Sequence, residues 1–182
     1  GATPLWIASQ NGHLEIVRLL VDAGADKDKA MNTGATPFFL ASLNGHLEVV
    51  RLLVEKGADK DKATNDGDTP LWMASEKGHL DIARLLIEAG ADKDKAENTD
   101  VGTPLSIASQ NGHLEVVRLL VDAGADKDKA GIAGKTPLVT ARDMGYNEIA
   151  KLLVEAGAYD NGDDNEDDDE DDDDDDDEDG SS

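Results

Sequence analysis

The dipeptide Thr-Pro recurs at Thr3, Thr36, Thr69, Thr103 and Thr136, at intervals of 33, 33, 34 and 33 residues. The stretches Thr3 to Ala30 and Thr103 to Ala130 differ only by Trp6 against Ser106 and Ile16 against Val116. A unit this short cannot enclose its own apolar residues. Copies must therefore stack, sharing a core that runs along the array instead of sitting at one centre. Function is then to be sought on the surface of the stack, or outside it.

Within one unit, Thr3-Pro4 has the chemistry of a helix start. The threonine hydroxyl accepts a free N–H, and proline at the first helical position has no N–H to orphan. A helix of about two turns is expected to run to Asn11-Gly12, where glycine can take the left-handed conformation that closes it. Ala8, Ala41, Ser9 and Ser42 keep its inner side small, so neighbouring units can approach closely. A second helix is predicted over about His13 to Ala23, with Leu14, Ile16, Val17, Leu19, Leu20 and Val21 on a broad apolar face. Glu15, Arg18 and Asp22 share the opposite face, spaced to pair across a turn for ~0.2–0.5 kcal/mol each. Gly24 ends this helix, and Asp26 through Gly34 is read as a projecting β-hairpin or extended loop turning at Asn32-Thr33-Gly34.

The motif TPLxxAxxxGHLExVxLLxxxGAD at a 33-residue period resembles the ankyrin repeat, over about residues 1–159. The resemblance implies a mainly α solenoid of helix-turn-helix units with short β-hairpin or loop fingers. The five units span about 1–30, 31–63, 64–96, 97–130 and 131–159, followed by an acidic tail at 160–182. It also implies a scaffold that binds another protein without catalysis, on a concave side made by finger tips and inner helices.

The departures from the pattern carry information too. The family usually places histidine after Thr-Pro-Leu, whereas this chain has Trp6, Phe39, Trp72, Ser106 and Val139. The three aromatics either fill the slot between units or offer stacking surfaces to a ligand. One extra residue lies between Ala96 and Thr103 and is expected to bulge that finger. The last unit carries Thr140, Arg142, Asp143 and Asn147, which suits the polar outer face of a C-terminal cap. The first unit shows no such adaptation. Earlier repeats are therefore expected to be missing, with an apolar edge left exposed.

Units diverge most at the finger tips and first-helix ends, which makes these the candidate partner-binding residues. The fingers supply Asn32, Thr33, Ala35, Asn65, Asp66, Asp68, Asn98, Thr99, Asp100, Ile132 and Lys135. The helix ends supply Gln10, Asn11, Leu43, Asn44, Glu76, Lys77, Gln110 and Asn111, with Asp143 and Met144 in the last unit. His13, His46, His79 and His113 occur once per unit, where they are expected to cap the second helix. Stacked layers lie on the order of 10 Å apart, too far for these imidazoles to converge on one ion at ~2.1 Å. No nucleophile with a neighbouring base, and no phosphate-binding loop, stands outside the repeat, so neither an enzyme nor a cofactor is expected.

Four units close on Asp-Lys-Asp-Lys, beginning at Asp26, Asp59, Asp92 and Asp126. In an extended segment lysines and aspartates would alternate sides, drawing ladders of each sign along the stack. Such ladders would be either solvated edge protection or a lysine ridge for an acidic partner.

The formal net charge of −24 is unevenly spread. Asp160 to Asp179 holds 17 acidic and no basic residues, leaving 24 acidic against 17 basic elsewhere. So charged and apolar-poor a tail is expected to be disordered. It either confers solubility, or attracts basic proteins such as histone-like or ribosomal ones, or folds back on the lysines. A chaperone-like binder of basic proteins is the alternative to the scaffold. Net repulsion disfavours nucleic acid as a partner. Cysteine is absent and no apolar run approaches the ~18 residues of a membrane span. These point to a cytoplasmic or nuclear protein.

Overall fold

The computed structural model describes residues 1–95, 102–131 and 134–159. The extra residue before Thr103, the finger residues Asn98, Thr99, Asp100 and Ile132, and the acidic tail lie outside the described residues.

The described residues form five helix pairs: α1 (Pro4–Gln10) with α2 (Leu14–Asp22), α3 (Pro37–Leu43) with α4 (Leu47–Glu55), α5 (Pro70–Lys77) with α6 (Leu80–Glu88), α7 (Pro104–Gln110) with α8 (Leu114–Asp122), and α9 (Pro137–Asp143) with α10 (Asn147–Glu155). Each first helix begins as its sequence requires. Thr3, Thr36, Thr69, Thr103 and Thr136 sit in extended backbone, and each Oγ1 accepts the N–H three residues on at 3.1–3.3 Å. Each ends against a glycine in the left-handed region, such as Gly78 at φ 71°.

First helices pack on first helices and second on second, giving two layers. The core lies between them. Leu5, Phe38, Leu71, Leu105 and Leu138 occupy one position of the period and are at most 1 % exposed. Burying such a side chain contributes ~1.5–3 kcal/mol, and here each unit depends on its neighbours to complete that burial. Ala8, Ala41, Ser9 and Ser42 are buried as well. A second apolar cluster joins Phe39, Trp72 and Ile107 with Leu40, Met73 and Ala35, and Trp6 packs at its edge. The aromatic residues thus fill the slot between successive first helices.

Four expectations are corrected. First, the Asp-Lys-Asp-Lys segments are turns, not extended strands. Within each, the first aspartate's carboxylate accepts the N–H two residues on, as Asp59 does from Asp61 at 3.0 Å. That closure is intrinsic to aspartate and overrides alternation. Between units, the second aspartate's carboxylate accepts the next unit's first N–H: Asp28 from Asp59, Asp61 from Asp92, Asp94 from Asp126. The second lysine donates back to that aspartate's carbonyl, as in Lys62 to Asp28, Lys95 to Asp61 and Lys129 to Asp94. These residues clamp adjacent units instead of forming solvated ladders.

Second, the histidines stand at the N-cap of the second helices but make no side-chain cap there. Nε2 of His46, His79 and His113 instead donates to the carbonyls of Gln10, Leu43 and Glu76 in the preceding unit, at 2.9–3.1 Å. Each ring lies over the preceding turn glycine, which explains that glycine a second time. A Cβ on Gly78 would stand 2.6 Å from His113 Nδ1. Third, Asp22 takes Lys56 of the next unit at 2.6 Å, in place of a pairing with Arg18 on its own helix. Fourth, Thr140 is buried, whereas Arg142, Asp143 and Asn147 of the last unit are exposed. Thr140 fills the position of Leu40, Met73 and Ile107, which faces the preceding unit.

Candidate functional site

The fingers share one turn. In the second unit Met31 N–H donates to Ala35 O and Gly34 N–H to Met31 O. Thr64, Gly67 and Asp68 repeat this in the third unit, and Gly131, Gly134 and Lys135 in the fifth. Among the described residues no strand forms, so the fingers are loops closed by two hydrogen bonds. Neighbouring fingers are tied together. The Asn65 N–H donates to Thr33 O at 2.9 Å, and its side-chain amide to Asn32 O at 2.7 Å.

The finger brings its last residue beside the end of the first helix in the same unit. Lys135 pairs with Asp143 in this way. In the third unit Asp68 occupies that finger position and Glu76 the helix end, so the corresponding pair of positions is acidic on both sides. Burial pushes the Asp68 carboxyl above the usual aspartate range, and the nearby charges of Asp66 and Glu76 push it further. Glu76 pairs with Lys77 at 3.1 Å, and its carbonyl is held by His113 and by the Asn111 amide at 3.2 Å.

The remaining candidates fall along the same face. Gln10, Asn11, Asn32, Thr33, Asn44, Asn65, Asp66, Lys77, Asn111 and Lys135 are exposed, while Leu43, Asp68, Glu76 and Gln110 are half-buried. Ala35 is buried against the aromatic cluster. Several polar side chains are already occupied. The Asn11 and Asn44 amides close their own helices on Ile7 O and Leu40 O at 2.8 Å. Gln110 Oε1 is buried without a partner among the described residues. The face therefore runs from neutral groups in the first two units, through an acidic group in the third where Glu76 pairs with Lys77 and Asp68 has no counter-ion, to the Lys135–Asp143 pair in the fifth.

Sequence reasoning missed the meeting of Asp68 with Glu76. The signal was present: the third unit has a carboxylate at both positions, where the second unit has Ala35 and Leu43 and the fifth has Lys135 and Asp143. Among the described residues no three potential ligands gather to hold a metal ion, and no helix is long and apolar enough to cross a membrane.

A family model described as ankyrin repeats, in three copies, matches residues 5–97 and again 94–165. No curated protein matches the chain.

Proposed function

Since the chain belongs to the ankyrin repeat family, whose members are protein-interaction scaffolds, we propose that it binds another protein non-covalently on the face shared by its fingers and first-helix ends. The partner places a cationic side chain between Asp68 and Glu76. The observation that carries this reading is the half-buried Asp68 carboxyl, held near two further acids in the middle of that face. A carboxylate desolvated without a counter-ion costs stability, and a partner's lysine or arginine would remove that cost on binding. The clamps and latches make the face rigid, so little ordering entropy opposes association. The protein acts by presenting this surface, without catalysis or cofactor, in the cytoplasm or nucleus.

A second reading rests on the tail, whose 17 acidic residues make it a binder of basic proteins in its own right. Capture experiments with the full chain, a chain ending at Tyr159, and a full-length Asp68→Asn/Glu76→Gln variant, each at low and high salt, separate the two. Retention of partners after tail removal, with loss in the double variant, supports the face. Partners that are all basic, and are lost with the tail or with salt, support the tail and overturn the first reading.

A further inference from the structure

The first-helix ends share one position of the period, filled by Gln10, Leu43, Glu76, Gln110 and Asp143. Leu43 is the apolar member of that row, and it is half-buried. One side of it packs on the cluster containing Phe39 and Trp72, and the rest is open to solvent. The first helices of units one and three pack on either side of its own, so this exposure owes nothing to the end of the array. His79 Nε2 donates to the Leu43 carbonyl at 3.1 Å, which fixes the helix end that carries the side chain. An aliphatic group is thus held partly uncovered where the other units present amides or carboxylates.

The acidic group lies one unit further on. Asp66 and Glu76 add their charge to Asp68, and Lys77 pairs with Glu76 at 3.1 Å, which leaves Asp68 without a counter-ion among the described residues. The sequence from Ala96 to Val101 adds Glu97 and Asp100 and holds no lysine or arginine, so the next finger brings no counter-ion either. An aliphatic site and an anionic site therefore stand side by side in adjacent units, one helix layer or ~8–10 Å apart. That distance selects what can reach both. In a polyproline-II segment, three residues per turn at ~3.1 Å each put side chains i and i+3 on one side, ~9.3 Å apart. In a β-strand i and i+2 share a face at only ~6.6 Å, and i+3 points away.

Building on the interaction proposed above, we infer that the partner docks through an extended segment that sets an aliphatic side chain on Leu43 and, three residues away, an arginine or lysine in the acidic group of unit three. Leu43 is the specificity-determining residue of this surface. Carboxylates alone attract any cation, as the acidic tail does, and salt screens that attraction. Burial of an aliphatic group on Leu43 is not screened, and it selects cationic segments that carry the second side chain at the right spacing. The Lys135–Asp143 pair closes the corresponding charges of unit five on each other, so the site is confined to units two and three.

Random peptides displayed on phage and selected on the full chain test this pattern. The expected enrichment is an aliphatic residue three positions from an arginine or lysine. A selected peptide, made as a fluorescent probe, should bind Leu43→Gln about tenfold or more weakly. Glutamine is what units one and four already carry at this position, so the fold accommodates it. Selection repeated on Leu43→Gln should keep the preference for cations and lose that for the aliphatic residue, and selection on Asp68→Asn/Glu76→Gln should do the reverse. Cationic peptides enriched without an aliphatic residue at that spacing, or with the seven-residue spacing of a helix, overturn the inference while leaving the interaction at Asp68 standing. A preference for cations that is absent, or that survives the double variant and so belongs to the tail, overturns the underlying reading and the inference with it.

Discussion

The latch between the third and fourth units gives a quantitative test of how adjacent repeats are held. Gly78 has φ 71°, and a Cβ there would stand 2.6 Å from Nδ1 and 2.8 Å from Cε1 of His113. A Gly78→Ala substitution therefore meets two costs. The left-handed backbone costs an alanine ~1–2 kcal/mol, and the ring contact, tighter than any van der Waals separation, adds ~1–3 kcal/mol of overpacking. A His113→Ala substitution removes the hydrogen bond to Glu76 O at 2.9 Å, worth ~0.5–1.5 kcal/mol. In the double variant the ring is gone, so only the backbone cost of the introduced alanine remains beside the lost bond. The double variant should therefore be more stable than the sum of the single effects implies, by ~1–3 kcal/mol. Urea denaturation followed by far-ultraviolet circular dichroism measures this, with a constant m-value required because repeat arrays can lose cooperativity. Additivity within ~0.5 kcal/mol would refute the claim that the glycine is held by the ring of the next unit.

Three further outcomes are expected. Thr69→Val keeps the volume but leaves the buried Trp72 N–H without its acceptor, which should cost ~1–2 kcal/mol in the same denaturation assay. Leu86→Ala empties a fully buried position in the central unit and should cost ~2–5 kcal/mol, against a change within about ±0.5 kcal/mol for exposed Arg84→Ala. Asp68 has a folded-state affinity for protons above that of the unfolded chain, so its ionised form destabilises at neutral pH, and acidification through the window between the raised and ordinary values favours the native state. Asp68→Asn should accordingly raise the melting temperature at pH 7, with an advantage that shrinks as pH falls through that window.

Much of the fold is legible in the chain because its local rules agree with its global one. Thr-Pro caps, closing glycines and apolar spacing place α1 and α2 within a residue or so of their expected bounds, and the same rules recur in each unit. What the repeat hides is which unit a side chain reaches. Asp28, Asp61 and Asp94 are equivalent in sequence, so periodicity cannot distinguish a bond within a unit from one to the next. The histidine latch and the aspartate clamp both fall in that blind spot. The alternation argument failed at Asp26 to Lys29 for a local reason, since aspartate closes a turn on its own backbone more readily than it extends. Thr140 misled because polarity was taken for exposure, while its position in the period buries it. The candidate face was legible as the set of positions that break the period, but which of their side chains are already tied down required the coordinates.

Site-specific photocrosslinking in extract of the native cell tests the proposed interaction face most directly. A photoreactive residue is placed at Asn65 or Lys77 on the finger face, at Glu48 or Arg84 on the outer face of the second helices, or in the tail at Glu170. The account predicts that the first pair joins a partner protein, that this partner still binds a chain ending at Tyr159, and that Asp68→Asn/Glu76→Gln abolishes the crosslink without lowering the melting temperature. Crosslinks confined to Glu170, or equally strong from Glu48 and Arg84, would contradict it.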